Sequence, residues 1–185
     1  GLLNSFIRFE TIITAVQYFS FALLGAPYMA TGRNLAYRKK IFLVKKGFYT
    51  HLEVQGGDDD LFVNQHSTNS NTRIVLQPNA IVLSQPKKTW QEFYRQKIRN
   101  LAVGKQYKVG SQAMLAPFML SWLLFWPVMT FGLFALYWPW ALGALIMRLL
   151  AMVITIHTFN KKSTEEFEVW KIPFLDFIFC FYYLV

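Results

Sequence analysis

Cysteine is almost missing from this chain. Cys180 stands alone, so no intrachain disulfide can form, and inside an apolar run it reads as a small packed hydrophobe. With one Cys and three scattered histidines, His51, His66 and His157, no ligand set has the spacing of a zinc site. A Gly-x-Ser-x-Gly element, a Ser/His/Asp arrangement and a Gly-rich phosphate loop are also missing, which removes the common signatures of hydrolases and nucleotide-binding loops. Acids are scarce, 10 against 19 lysines and arginines. Residues 109–147 carry no charge of either sign. No internal repeat or low-complexity tract is evident.

What remains is apolar and lopsided. The composition is 54% hydrophobic and 18% aromatic, too apolar for an ordinary soluble domain. Fourteen of the 19 basic residues lie between Arg33 and Lys108, with five acids among them, whereas Arg148 is the only charge between Lys108 and Lys161. A basic polar half joined to an apolar half implies a membrane protein whose polar part lies beside anionic lipid. Nucleic acid is not the expected partner, because no basic helix with interleaved stacking aromatics and no nucleic-acid motif occurs.

A membrane span needs roughly 20 apolar residues. The uncharged run together with residues 149–159 therefore predicts two spans, at about residues 113–137 and 140–159, broken at Tyr137-Trp138-Pro139-Trp140, where Pro interrupts a helix and aromatics suit the headgroup boundary. A third, partial span opens at Ile172-Pro173. The excess of Lys and Arg predicts that residues 33–108 and 160–171 are cytoplasmic. Because the chain opens on Gly1 and stops at Val185 inside an apolar run, it reads as a fragment. Arg148, isolated in an apolar helix, costs several kcal/mol unless it meets protein, water or phosphate. The expected partner is a hydrogen-bonding group on a neighbouring helix, and the alternatives are the phosphate of a lipid-linked acceptor or a lumen through which product passes.

In the polar half, apolar residues at helical spacing from Phe6 to Leu24 are interrupted by Asn4, Arg8, Glu10 and Gln17. That pattern predicts a helix of the polar domain lying against the membrane rather than a span. Residues 72–77 and 80–84 have strand character on either side of Pro78-Asn79, a turn pair. Thr89-Trp90-Gln91-Glu92 matches a capping box and predicts a helix over 90–107. Its apolar face is Tyr94, Ile98 and Leu101, with Gln96, Arg99 and Asn100 on another.

The densest chemistry is Gly56-Gly57-Asp58-Asp59-Asp60-Leu61-Phe62. Three successive carboxylates repel one another unless a cation, a helix N-terminus or a substrate hydroxyl offsets them. An arbitrary Asp triplet is a solvated turn. Here Leu61-Phe62-Val63 follows at once, so the acids open a buried helix. A calcium loop is excluded, since its ligand alternation is missing.

These elements, in this order, resemble the C-terminal half of a family 2 glycosyltransferase, the inverting group that includes cellulose, chitin and hyaluronan synthases. The likeness is nearest to membrane-bound bacterial members of the Bacteroidetes type. Residues 27–38, with Gly32-Arg33-Asn34 at their centre, resemble the segment on the acceptor side of that family's active site. Gly57-Asp58-Asp59-Asp60-Leu61 resembles its Glu-Asp-x-Asp-Leu element. Gln96-Lys97-Ile98-Arg99-Asn100 resembles its Gln-x-x-Arg-Trp element.

The resemblance implies a fold and a reaction. The fold would be α/β: residues 1–110 as the acceptor-side half of a GT-A-type domain, residues 111–185 as an α-helical transmembrane region. Asp58 would be the base, flanked by Asp59 and Asp60. Gln96 and Arg99, with Gly32, Arg33 and Asn34, would bind substrate or the departing diphosphate, Lys97 and Arg95 being lesser candidates. The donor would be a nucleotide sugar and the acceptor a glycan or a lipid-linked species, at the cytoplasmic face of a bacterial inner membrane. A divalent cation, Mg or Mn, would be needed in the whole enzyme, with its ligands mostly outside these residues and no metal site within them. Two departures carry consequences. Gly57 replaces Glu, which puts more weight on Asp58, and Asn100 replaces Trp, which favours single sugar addition over processive synthesis. Because the family's nucleotide-binding half would precede Gly1, this chain by itself is expected to be inactive. The rival reading is a non-catalytic membrane scaffold or assembly subunit with a basic cytoplasmic domain.

Overall fold

Among the described residues, seven α-helices carry the chain. A computed structural model describes residues 1–185 except Gln55, Leu136, Thr164, Glu165, Tyr183 and Val185. The helices are α1 (Leu2–Leu23), α2 (Lys39–Val44), α3 (Asp58–His66), α4 (Trp90–Gly104), α5 (Val109–Phe134), α6 (Trp138–Asn160) and α7 (Ile172–Tyr182). They fall into two compact units, residues 13–114 and residues 1–12 with 115–185.

The unit of residues 13–114 is built around α3. Leu61 is fully buried and Phe62 is 3% exposed. The Phe62 ring meets those of Tyr37, Phe42, Phe48 and His66 at 4.8, 5.7, 6.1 and 5.0 Å between centroids. Buried Asn64 holds this helix to its surroundings. Its Nδ2 donates to the Tyr28 carbonyl and the Ser111 hydroxyl, and its Oδ1 accepts the Lys108 N–H at 2.8 Å. An amide suits the position because it alone supplies donors and an acceptor from one short side chain. Helix α4 starts as its capping residues dictate: the Thr89 hydroxyl accepts the Glu92 N–H, and the Glu92 carboxylate reaches back to the Lys88 N–H. The helix is shorter than the predicted 90–107, and it buries Phe93 and Val103 while Tyr94 and Ile98 stay half exposed. The expected apolar face is thus not the buried one.

In the other unit, α5 and α6 are long and apolar enough to cross a membrane. Only 17% and 11% of their most apolar windows are buried in protein, whereas the core helix of a water-soluble domain is mostly buried. Phe131, Phe134, Met147 and Ile154 are each more than 60% exposed, a display of apolar surface that water tolerates poorly. The helices are displaced by a few residues from the predicted 113–137 and 140–159, and Pro139 lies in the first turn of α6, where its missing N–H costs nothing. The first residues of α1 belong here: Phe9 is fully buried, edge-on to Phe179 at 5.7 Å.

The α/β expectation is overturned. Among the described residues there is no strand and no sheet, and the fold is all-helical. Residues 72–77 and 80–84 run without a ladder on either side of a 3-10 turn at Pro78–Ala80. The reason lies in Pro78. A two-residue hairpin loop needs positive φ at its first central position, and Pro is locked near −65°. Two short strands with no third partner are also marginal on their own. The side chains of Asn34 and Arg33 occupy this stretch instead, donating to the Ala80 carbonyl and the Ser84 hydroxyl.

Candidate functional site

Two consecutive glycines, Gly56 and Gly57, have φ of +89° and +78°, a backbone that L side chains resist. They turn the chain sharply into α3, with Gly57 as its N-cap. The turn lies directly against α4. A Cβ at Gly57 would stand 2.5 Å from Val103 Cγ1, and one at Gly56 would stand 3.6 Å from Arg99 Cδ and 3.7 Å from its Nε. Arg99, in the stretch predicted to hold a departing diphosphate, therefore runs past Gly56, two residues before Asp58. Arg99 is exposed, and Gln96, one turn earlier, is half-buried.

Asp58, Asp59 and Asp60 form the first turn of α3, where the unpaired N–H groups and the helix dipole favour negative charge. Their side chains have different surroundings. Asp58 is exposed. Asp59 accepts the Gly32 N–H on Oδ2 and the Asp60 N–H on Oδ1. Glycine suits the close approach, since a Cβ at Gly32 would come within 2.9 Å of Asp59 Oδ2 and push that carboxylate aside. Asp60 turns inward, and its Oδ1 is buried with no hydrogen-bond partner among the described residues. Burial first, and the Asp59 charge second, push its pKa from an ordinary 3.8 to about 7, against the Tyr107 hydroxyl and the Ala30 N–H, which draw it down. Burial likewise raises Tyr107 well above the usual phenol range, reinforced by Asp60.

The structure thus brings Gly32, Asp58–Asp60 and Arg99 into one locality. Arg33 and Asn34, adjacent in sequence to Gly32, bind residues 80–84 instead. A divalent cation does not fit the three carboxylates as a cradle, because Asp59 is held by backbone N–H groups and Asp60 faces the interior. No group of three or more His, Cys, Asp or Glu among the described residues could hold a metal ion.

Behind residues 29–36, within the same unit, lies a cavity of about 640 Å³. His66 is on its wall. Burial, with Lys45 and Lys108 nearby, lowers the His66 pKa below the ordinary value of 6.5, so the ring is neutral at pH 7.

Three participants escaped the sequence reading. Tyr107 and Tyr18 bear on Asp60 and its neighbours, and nothing in their local pattern marks them. Asp176 is the third. It is fully buried and forms an ion pair with Arg148, which settles the role of that Arg as a contact between helices. A lone acid in an apolar run was a visible signal.

Comparison of the chain with protein-family models, with curated proteins and with solved structures returns no match.

Proposed function

We propose that this chain is the acceptor-side part of an inverting, membrane-bound glycosyltransferase, moving a sugar from a nucleotide-sugar donor to a glycan or lipid-linked acceptor. The membrane would be a bacterial inner membrane, with the polar unit on its cytoplasmic side. The reading concerns the site and not the fold class, which is helical. One observation carries it. Three segments distant in sequence, around Gly32, Asp58 and Arg99, meet at the start of α3, as a base and a leaving-group clamp must.

In this reading each carboxylate has a separate task. Asp58, exposed at the helix start, takes the proton of the acceptor hydroxyl. The hydroxyl oxygen attacks the anomeric carbon, and the bond from that carbon to the diphosphate oxygen breaks with its electron pair on the nucleoside diphosphate. Arg99, whose guanidinium presents forked donors, neutralises that charge. Asp59 fixes residues 31–34 through the Gly32 N–H, and so positions the acceptor side. Asp60, near neutral in pKa, limits the repulsion in the triplet by keeping part of its protons at pH 7.

The test is Asp58→Asn in the protein as its host makes it, with sugar transfer and membrane insertion measured together. Loss of transfer with insertion intact supports the reading. Unchanged transfer would leave a scaffold, and the enzyme reading would be abandoned.

A further inference from the structure

The cavity beside residues 29–36 has a lining of two kinds. Most of its wall is apolar, with Phe19, Met29, Phe62 and Ile74 among its residues. Two guanidinium groups, those of Arg33 and Arg73, stand on the same wall, and no Asp or Glu lines it. Among the described residues neither Arg forms an ion pair with a carboxylate. Arg33 gives one hydrogen bond, to the Ser84 hydroxyl, and Arg73 uses a single nitrogen, Nη1, on two backbone carbonyls. Each therefore retains donors in the fork that fits phosphate oxygens.

This combination selects the ligand. A wall with two positive groups and no acid repels cations and favours an anion. A purely polar anion, such as free phosphate or a nucleotide, would leave the apolar wall wet. A purely apolar ligand would leave the guanidinium groups unused. A volume of about 640 Å³ is within the range of small-molecule sites, enough for a head group and the first part of a chain. Thr31 and Arg33, on either side of Gly32, both line the cavity, and the Gly32 N–H is held by Asp59.

We propose that the cavity takes the phosphate-bearing end of a single-chain lipid monophosphate, with Arg33 and Arg73 on the phosphate and the apolar wall on the chain. Calling that lipid the acceptor rests on the glycosyltransferase reading. The binding itself does not.

The probe is radiolabelled farnesyl phosphate, added to the full chain in phosphatidylcholine nanodiscs. Farnesol, inorganic phosphate and phosphatidylglycerol serve as competitors. The wild type should bind saturably, and none of the three competitors should displace the probe at equal concentration. Arg73→Gln should weaken binding about tenfold or more, the effect of losing a charge-assisted contact. Ala36→Trp, which fills the cavity from its wall, should abolish it. Arg73 and Ala36 are both exposed, so both variants should keep the wild-type helical circular dichroism. A variant that loses it is replaced by Arg73→Lys, which should bind more weakly than wild type at unchanged helicity. Equal binding of farnesol, full displacement by inorganic phosphate or phosphatidylglycerol, or full binding by Ala36→Trp would overturn the proposal. Asp58→Asn separates the two readings. If it abolishes sugar transfer while farnesyl phosphate never binds, the lipid site alone fails. If farnesyl phosphate binds as described and Asp58→Asn transfers normally, the enzyme reading fails and the lipid site stands.

Discussion

The guanidinium of Arg148 on α6 and the carboxylate of Asp176 on α7 meet in two hydrogen bonds, from Nε at 2.9 Å and Nη2 at 2.8 Å. Asp176 is fully buried and the Arg148 side chain is 16% exposed. The same guanidinium lies 4.3 Å from the ring centroids of both Trp122 and Phe125 on α5. One cation therefore ties three helices together, and each partner spares the other from lying bare in an apolar setting.

Removing one partner should thus cost more than removing both. Arg148→Met or Asp176→Leu alone leaves an unpaired buried charge and should destabilise by about 3–5 kcal/mol. The double substitution should recover much of that loss, because two apolar side chains need no compensation. Unfolding of the chain in mixed micelles, followed by circular dichroism, measures the difference. A loss in the double variant equal to the sum of the two single losses would show that the pair is not coupled.

Asp60 sets a second expectation. Its pKa rises on folding from 3.8 to about 7, so the folded chain holds this proton more tightly than the unfolded chain. The stability it contributes is complete below about pH 4 and is lost as pH rises through about 7. A shift of that size corresponds to roughly 4 kcal/mol as an upper bound. Asp60→Asn, which cannot ionise, should flatten the fall in melting temperature between pH 4.5 and 8 and should raise the value at pH 8. A steeper slope in the variant would contradict the assignment.

The two glycines before α3 should differ in tolerance. Gly57→Ala combines a positive φ with a Cβ 2.5 Å from Val103 Cγ1, so strain and overlap together should cost about 2–4 kcal/mol. Gly56→Ala has positive φ but an open 3.6 Å approach to the flexible Arg99 side chain, and should cost only about 1–2 kcal/mol. Adding Val103→Ala should relieve part of the Gly57→Ala loss and none of the Gly56→Ala loss. Denaturant midpoints of the four variants decide this.

Local signals in the sequence are legible where one residue decides the outcome. Thr89 with Glu92 caps α4, the acids open a helix with a buried face, and the long uncharged run forms two helices of spanning length. Residues 72–77 and 80–84 have β character one by one, but the turn between them contains a Pro that cannot make the required loop. The buried face of α4 is hidden in the sequence for a related reason. Tyr94, Ile98 and Leu101 are apolar at helical spacing, but which face is covered depends on where the Gly56-Gly57 turn lies, and that turn meets Val103.

Composition and order alone determined that this chain has a basic polar part and an apolar part of two membrane-length helices, since both follow from how many charges lie where. They also determined that the Asp triplet is a helix start, because of the apolar residues that follow it. Only the tertiary structure decided that the described residues form helices and no sheet, that Asp176 is the partner of Arg148, and that Asp58, Asp59 and Asp60 meet three different surroundings. These depend on contacts between residues that lie far apart along the chain, and no local preference encodes which distant group arrives to satisfy a buried charge.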